Sequence, residues 1–174
     1  MHVLLVTAAD DGGADRGPWT PLAAAWTEAA PRCVVEPMVL PPGPVAATAP
    51  PGEAPAPGVF VPTTSLGLTS VTPPPPPPEV RLLQERVAHA DLVVVHTPVL
   101  DASALRAGPV HRAAEAAAPY AVPVVVLAGR DETTRRELSG AGVAGAHEIG
   151  EPPSGEAVGR VARTWAPAWA APEE

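Results

Sequence analysis

The chain contains no lysine and no asparagine, and Cys33 is its single cysteine. All 11 basic residues are arginines, which excludes a phosphate-binding loop of the Walker type because that loop needs a lysine. One cysteine leaves no internal disulfide and no cysteine-based metal cluster. Aromatic residues make up only 3% of the chain. No apolar run approaches the roughly 20 residues of a membrane-spanning helix.

The net charge of −8 argues against nucleic acid and against an anionic membrane as partners, because both attract basic surfaces. A length of 174 residues is that of one domain with a substantial core. The chain opens with a short apolar pattern rather than with a basic segment and a cleavage site, so we predict no signal peptide. A cytoplasmic location is the expectation that follows.

The stretch from residue 91 to 130 organises the rest of the chain. Two apolar runs, Leu92 to Val95 and Val124 to Leu127, are typical of strands that are buried on both faces. Between them, Gly108-Pro109 opens a helix whose apolar residues recur every three or four positions. A strand, a helix and a strand in this order predict a parallel sheet with a right-handed crossover.

Further apolar patterns occur on both sides of this unit. Before it, they predict a strand over Val3 to Val6, a loop from Thr7 to Gly17, a helix from Thr20, a strand interrupted by Pro37 and a helix over Glu79 to His89. After it, they predict a helix from Asp131 as cap to about Leu138, a weaker strand over Val143 to Ile149 and a helix over Glu156 to Trp165. We therefore predict an α/β fold, a three-layer Rossmann-like domain with a mostly parallel sheet of four to six strands.

Residues 41 to 78 have a different composition from the rest of the chain. They hold 14 of the 26 prolines, including six in a row from Pro73 to Pro78. Such a segment is typical of extended or polyproline II backbone and predicts a semi-rigid connector. An alternative is that the chain is an assembly protein whose proline-rich segment docks onto an aromatic groove of a partner.

Polar residues follow both central apolar runs. Ligands of parallel sheets bind beyond the carboxyl ends of the strands, so His96, Thr97, Gly129 and Arg130 are candidate ligand-binding residues. Arg130 offers a guanidinium fork for a carboxylate or a phosphate, or it pairs with a neighbouring acidic residue in solvent. A lone histidine at a strand end is rarely a metal site.

Acidic residues provide two further candidates. Asp101 is the candidate catalytic residue, as a general base for a substrate hydroxyl; the alternative is that its carboxylate caps the turn that follows. Asp10, Asp11 and Gly12 belong to an acidic loop and are candidate ligand-binding residues. The spacing of this loop departs from that of a calcium-binding loop, so a solvated turn before a helix is the favoured interpretation, and we predict no metal site.

Ten residues between positions 90 and 129 carry a resemblance to a known family. They are Ala90, Asp91, Leu92, Val93, Leu100, Asp101, Leu105, Pro123, Val124 and Gly129. In order and spacing they resemble the carboxy-terminal part of the bacterial glycerate 2-kinases. The family's G-E-G-R motif is replaced by His96-Thr97-Pro98-Val99, its Q-T pair is replaced by Ser103-Ala104, and the motifs of its second domain are absent.

The resemblance implies a single glycerate-kinase-like domain over residues 1–174, in which the connector at 41–78 replaces the family's inserted domain. Because most motif residues are absent, it implies a catalytically degenerate pseudoenzyme that acts as a binding or regulatory module. A protein partner or a homodimer is then the implied assembly. The alternative is retained phosphorylation of glycerate or a related hydroxy acid, with ATP and Mg²⁺ as cofactors and a partner chain supplying the missing domain.

Overall fold

The computed structural model describes residues 1–9, 19–41 and 76–166. The strands are β1 (His2–Ala8), β2 (Val34–Leu40), β3 (Leu92–Leu100), β4 (Val124–Asp131) and β5 (Gly145–Glu148). The α-helices are α1 (Trp19–Ala29), α2 (Pro78–Val87), α3 (Gly108–Ala117), α4 (Arg135–Gly140) and α5 (Gly155–Trp165), and a 3-10 turn (Ala118–Tyr120) follows α3. The acidic loop and most of the proline-rich connector lie outside the described residues.

The five strands form one parallel sheet in the order β2-β1-β3-β4-β5. Helices cover both faces, so the predicted three-layer α/β fold is confirmed. The direction in which strands are added reverses between β1 and β3, and this order is the doubly wound order of the flavodoxin-like folds. The fold is therefore flavodoxin-like.

Side chains alternate between two hydrophobic cores because successive residues of a strand point to opposite faces. In β3, Val93 and Val95 belong to the core beneath α2 and α3, whereas Leu92 and Val94 belong to the core beneath α1 and α5. Trp26 of α1 lies in the second core with 1% of its surface exposed. The continuous apolar runs noted in the sequence reflect this burial on both faces.

Three strands extend further than their apolar runs predict. Pairing with β4 carries β3 past the polar residues His96 and Thr97 to Leu100, and pairing with β2 makes Thr7 part of β1 rather than part of a loop. Strand β2 continues through Pro37, because an edge strand has a neighbour on one side only and tolerates a missing N–H on the other. Backbone pairing, rather than side-chain polarity, sets these ends.

The start of α4 differs from the prediction. Thr134, not Asp131, caps this helix: the Thr134 hydroxyl accepts a hydrogen bond from the Glu137 N–H, and the Glu137 carboxylate accepts one from the Thr134 N–H at 2.8 Å. The reciprocal hydrogen bonds between Thr134 and Glu137 form a capping box. Asp131 instead accepts hydrogen bonds from the N–H and the hydroxyl of Thr133.

We expect Thr134→Ala to lower the free energy of unfolding by about 1 kcal/mol, because the substitution removes the side-chain acceptor at the start of α4. Urea denaturation monitored by circular dichroism measures this change. Thr164→Ala is the matched control, since the Thr164 hydroxyl only donates to the Arg160 carbonyl within α5. Equal stability losses in the two variants would contradict the assigned cap.

A side-chain hydrogen bond joins β5 to the end of α5. The Trp165 indole N–H donates to Nε2 of His147 at 2.9 Å, so this nitrogen carries no proton in the folded state. Burial lowers the pKa of His147, because a partly buried site disfavours the charged imidazolium. Protonation of His147 therefore competes with the contact between β5 and α5.

We expect stability to fall as the pH drops below about 6.5, the ordinary pKa of an unfolded histidine. The folded-state pKa of His147 is lower than the unfolded-state pKa, so between these two values the unfolded chain binds more protons than the folded chain. The contribution of His147 to stability is therefore complete above this window. It is lost as the pH falls through the folded-state pKa. Thermal unfolding across this range measures the slope. His147→Gln keeps an acceptor for Trp165 but does not titrate, so it flattens the slope, whereas His89→Gln at an exposed position after α2 retains it. An unchanged slope in His147→Gln would contradict the assignment.

No helix within the described ranges is both long and apolar enough to cross a membrane. The same residues contain no group of three or more histidine, cysteine, aspartate or glutamate side chains arranged to hold a metal ion.

Candidate functional site

A crevice opens at the carboxyl edge of the sheet between β1 and β3. The two strands pair only from Val3 opposite Leu92 to Val6 opposite Val95. Beyond that point β1 continues beside β2 and β3 continues beside β4, so the neighbours diverge. In an open α/β sheet this reversal of strand order is where ligands bind.

The crevice contains a cavity of about 290 Å³. This volume is at the lower end of small-molecule pockets, which start at roughly 300 Å³. The lining residues come from the ends of β1, β3 and β4 and from the loop between β5 and α5: Thr7, Ala8, His96, Pro98, Gly129, Gly150, Glu151, Pro152 and Pro153. A mostly apolar lining with a few polar groups is typical of a ligand site.

Thr7 provides a buried hydroxyl on the β1 side of the cavity. The residue is 1% exposed, and no hydrogen-bond partner for its Oγ1 exists among the described residues. A buried polar group without a partner costs about 1–3 kcal/mol, so such a group calls for an explanation.

Gly129 forms the β4 side of the crevice. A Cβ atom at this position would lie 2.6 Å from the Pro98 carbonyl oxygen of β3, a distance that real side chains do not reach. Only glycine therefore lets β4 approach β3 this closely. The shape of the cavity therefore depends on glycine, which has no side chain, at this position.

The loop after β5 closes the cavity from the side of α5. Gly150 has a φ of +82°, a conformation that residues with a side chain rarely adopt, and it turns the chain toward the cavity. The exposed Glu151 follows, and Ser154 ends the loop by accepting a hydrogen bond from the Ala157 N–H at the start of α5. The loop thus places a carboxylate at the rim.

The structure brings two of the predicted ligand-binding residues together, since His96 and Gly129 both line the cavity. The other two are occupied elsewhere. The Thr97 hydroxyl donates to the Val99 carbonyl at 2.9 Å, and the Arg130 guanidinium lies 2.6 Å from the Glu132 carboxylate. Strand alternation explains the difference between His96 and Thr97, because neighbouring residues face opposite sides of the sheet.

Asp101, the candidate catalytic residue, caps the turn after β3. Its Oδ1 accepts hydrogen bonds from the Ala104 N–H at 2.8 Å, the Ser103 N–H at 2.9 Å and the Ser103 hydroxyl at 2.7 Å. The bond from Ala104, followed by that from the Ser103 hydroxyl, lowers the pKa of Asp101. Its carboxylate is not part of the cavity lining.

Two polar lining residues, Thr7 and Glu151, were not predicted from the sequence. Thr7 was assigned to a loop, although a polar residue directly after the apolar run of β1 occupies the same kind of position as His96 after the run of β3. Glu151 follows the weakest strand pattern, so the carboxyl end of β5 could not be placed. Asp10, Asp11 and Gly12 lie outside the described residues.

Flavodoxins bind flavin mononucleotide at the corresponding switch point. A phosphate group needs N–H or hydroxyl donors or basic side chains. Within the described part of the chain the cavity lining includes a glutamate and no arginine.

Comparison with known proteins finds similarity in structure but no match in sequence. No family model matches the chain, and no curated protein matches it. Among solved structures, an NAD(P)H:quinone oxidoreductase from Methanothermobacter marburgensis is similar over 99% of each chain, with a TM-score of 0.45 and 15% sequence identity. Such a likeness says nothing about the activity of this chain.

The resemblance to glycerate kinases is wrong, and so is the glycerate-kinase function inferred from it. Neither a family model nor a curated protein supports a kinase, and the solved structures that are similar to the chain include an oxidoreductase. The matching residues have structural roles in this fold. Leu92, Val93 and Val124 are buried in the sheet, and Asp91 accepts a hydrogen bond from the His2 N–H. A buried parallel sheet selects such residues whatever the protein does.

Proposed function

We propose that this protein is a small-molecule-binding domain whose ligand occupies the cavity at the carboxyl ends of β1, β3 and β4. The observation that carries the proposal is the cavity of about 290 Å³ itself, which opens where β1 and β3 diverge toward different neighbours.

The position of the cavity supports the same proposal. It lies where the strand order of a doubly wound sheet reverses, and ligands of these sheets bind there whatever their chemistry. The close approach of β3 and β4 at Gly129 keeps the cavity free of side chains on that side. His96 adds an imidazole to a lining that is otherwise mostly apolar, and this combination orients a small ligand.

A fragment screen by ligand-observed NMR tests the proposal. The library contains neutral, cationic and anionic compounds built on one or two rings, matched in size to the cavity. We expect a set of fragments to bind the wild-type protein and to lose binding in Ala8→Leu, because the larger side chain fills the cavity. Ala102→Leu is the matched control, since Ala102 lines a separate cleft beside α4.

The two variants distinguish binding at the crevice from binding at the cleft beside α4. Fragments that lose affinity in Ala8→Leu and keep it in Ala102→Leu support a ligand site at the crevice. A library without a single binder, or binders that respond only to Ala102→Leu, would overturn the proposal. Far-UV circular dichroism of each variant confirms that the fold is intact.

A cytoplasmic location is part of this proposal, and cell fractionation tests it. A protein partner or a homodimer remains a prediction, and the lack of nucleic acid or membrane as a partner remains a prediction from the net charge.

A further inference from the structure

His2 lies at the amino edge of the sheet, where both nitrogens of its imidazole ring contact an oxygen atom. Its Nδ1 lies 3.0 Å from the His89 carbonyl oxygen, and its Nε2 lies 3.1 Å from a carboxylate oxygen of Glu36. A carbonyl oxygen and an ionised carboxylate accept hydrogen bonds and cannot donate them. Both ring nitrogens of His2 must therefore act as donors.

The charged imidazolium ion satisfies this arrangement, whereas a neutral imidazole does not. A neutral ring has one N–H and one nitrogen without a proton. In either tautomer, one ring nitrogen would direct its lone pair at an oxygen atom. The imidazolium carries an N–H at each nitrogen, and its positive charge strengthens the hydrogen bond to the carboxylate. The contact between His2 and Glu36 is therefore attractive only when the ring is protonated.

Charged groups from several elements surround this contact. The Arg86 guanidinium of α2 pairs with the other carboxylate oxygen of Glu36, and Asp91, which precedes β3, accepts a hydrogen bond from the His2 backbone N–H at 2.7 Å. The side chains of His2 and Glu36 are 27% and 26% exposed, so water and salt screen the pair only in part. His2 thus joins β1 to a partly buried ion pair between β2 and α2.

We propose that His2 forms a pH-sensitive contact that holds the edge strand β2 and the helix α2 against β1 when its imidazole is protonated. Because the attraction needs the charged ring, its contribution to stability is present at acidic pH and is lost as the pH rises and the proton leaves. The sign is opposite to that of His147, whose contact with Trp165 needs the neutral ring. The contact lies at the amino edge of the sheet and does not depend on a ligand in the cavity.

A double-mutant cycle between His2→Gln and Glu36→Gln measures the contact. Urea denaturation gives the free energy of unfolding of the wild type, the two single variants and the double variant at about pH 5.5 and about pH 8.5, on either side of the pH near 6.5 at which histidine ordinarily titrates. Effects common to all four proteins, including the titration of His147, cancel in the cycle.

At the acidic pH we expect the coupling between His2 and Glu36 to stabilise the folded state by a factor of about five in the unfolding equilibrium constant, as for a well-placed ion pair. At the alkaline pH we expect the coupling to be absent or unfavourable, because the unprotonated nitrogen then faces an oxygen lone pair. Equal favourable coupling at both pH values, or no coupling at the acidic pH, would overturn the proposal.

A second cycle, between Arg86→Gln and Glu36→Gln, is the matched control. It uses the same carboxylate, and an arginine keeps its charge at both pH values. We expect the coupling between Arg86 and Glu36 to persist at the alkaline pH. Its loss there would place the pH sensitivity outside His2 and would also overturn the proposal.

Discussion

Gly129→Ala is expected to lower the free energy of unfolding by about 1–3 kcal/mol, the usual cost of forcing extra atoms into a packed site. The added methyl group would lie 2.6 Å from the Pro98 carbonyl oxygen, and both atoms belong to paired strands in the middle of the sheet. The backbone must therefore shift, since no flexible side chain can move aside. Urea denaturation measures the loss, and the fragment screen measures the effect on the cavity.

Gly140→Ala is the matched control for this substitution. Gly140 is the last residue of α4, and a methyl group there would meet no heavy atom within 4 Å. Alanine favours helix over glycine by roughly 0.5–1 kcal/mol, so this variant is expected to be as stable as the wild type or more stable. If Gly129→Ala were equally well tolerated, the close approach of β3 and β4 would not shape the crevice.

Thr7→Val is expected to raise the free energy of unfolding by about 1–3 kcal/mol. The substitution preserves the shape of the side chain and replaces a buried hydroxyl that lacks a partner among the described residues, so the cost of burying that hydroxyl disappears. Thermal and urea denaturation in the absence of ligand measure the change.

Thr7→Ser separates the hydroxyl from the methyl group. Serine keeps the hydroxyl and loses a buried methyl group, so we expect lower stability than wild type with ligand binding retained. A Thr7→Val variant that is less stable than the wild type would show that the hydroxyl is hydrogen-bonded within the protein.

The sheet could be predicted from the sequence because its strands carry their own signal. Leu92 to Val95 and Val124 to Leu127 are buried on both faces, and such strands read as continuous apolar runs. The strand order could not be predicted in the same way. It depends on which strand neighbours β1 on each side, and local residue patterns do not contain that information.

The site could be predicted only in part. His96 and Gly129 follow strong strand patterns, so the rule that ligands bind at strand carboxyl ends locates them. Thr7 and Glu151 lie at the same cavity because β1 diverges from β3 and because the chain turns at Gly150. Both are tertiary features that local sequence patterns do not contain. The family resemblance misled because it rested on buried positions such as Val93 and Val124, where the packing of a parallel sheet restricts the choice of residue.

Amide chemical-shift mapping of the tightest-binding fragment is the most direct test of the ligand site. With ¹⁵N-labelled protein, we expect the largest shift changes at the four backbone positions around the crevice: Thr7, His96, Gly129 and Gly150. Changes centred instead on the cleft beside α4, at residues such as Leu105 and Arg106, would contradict the account. Saturable changes around the crevice that disappear in Ala8→Leu would establish it.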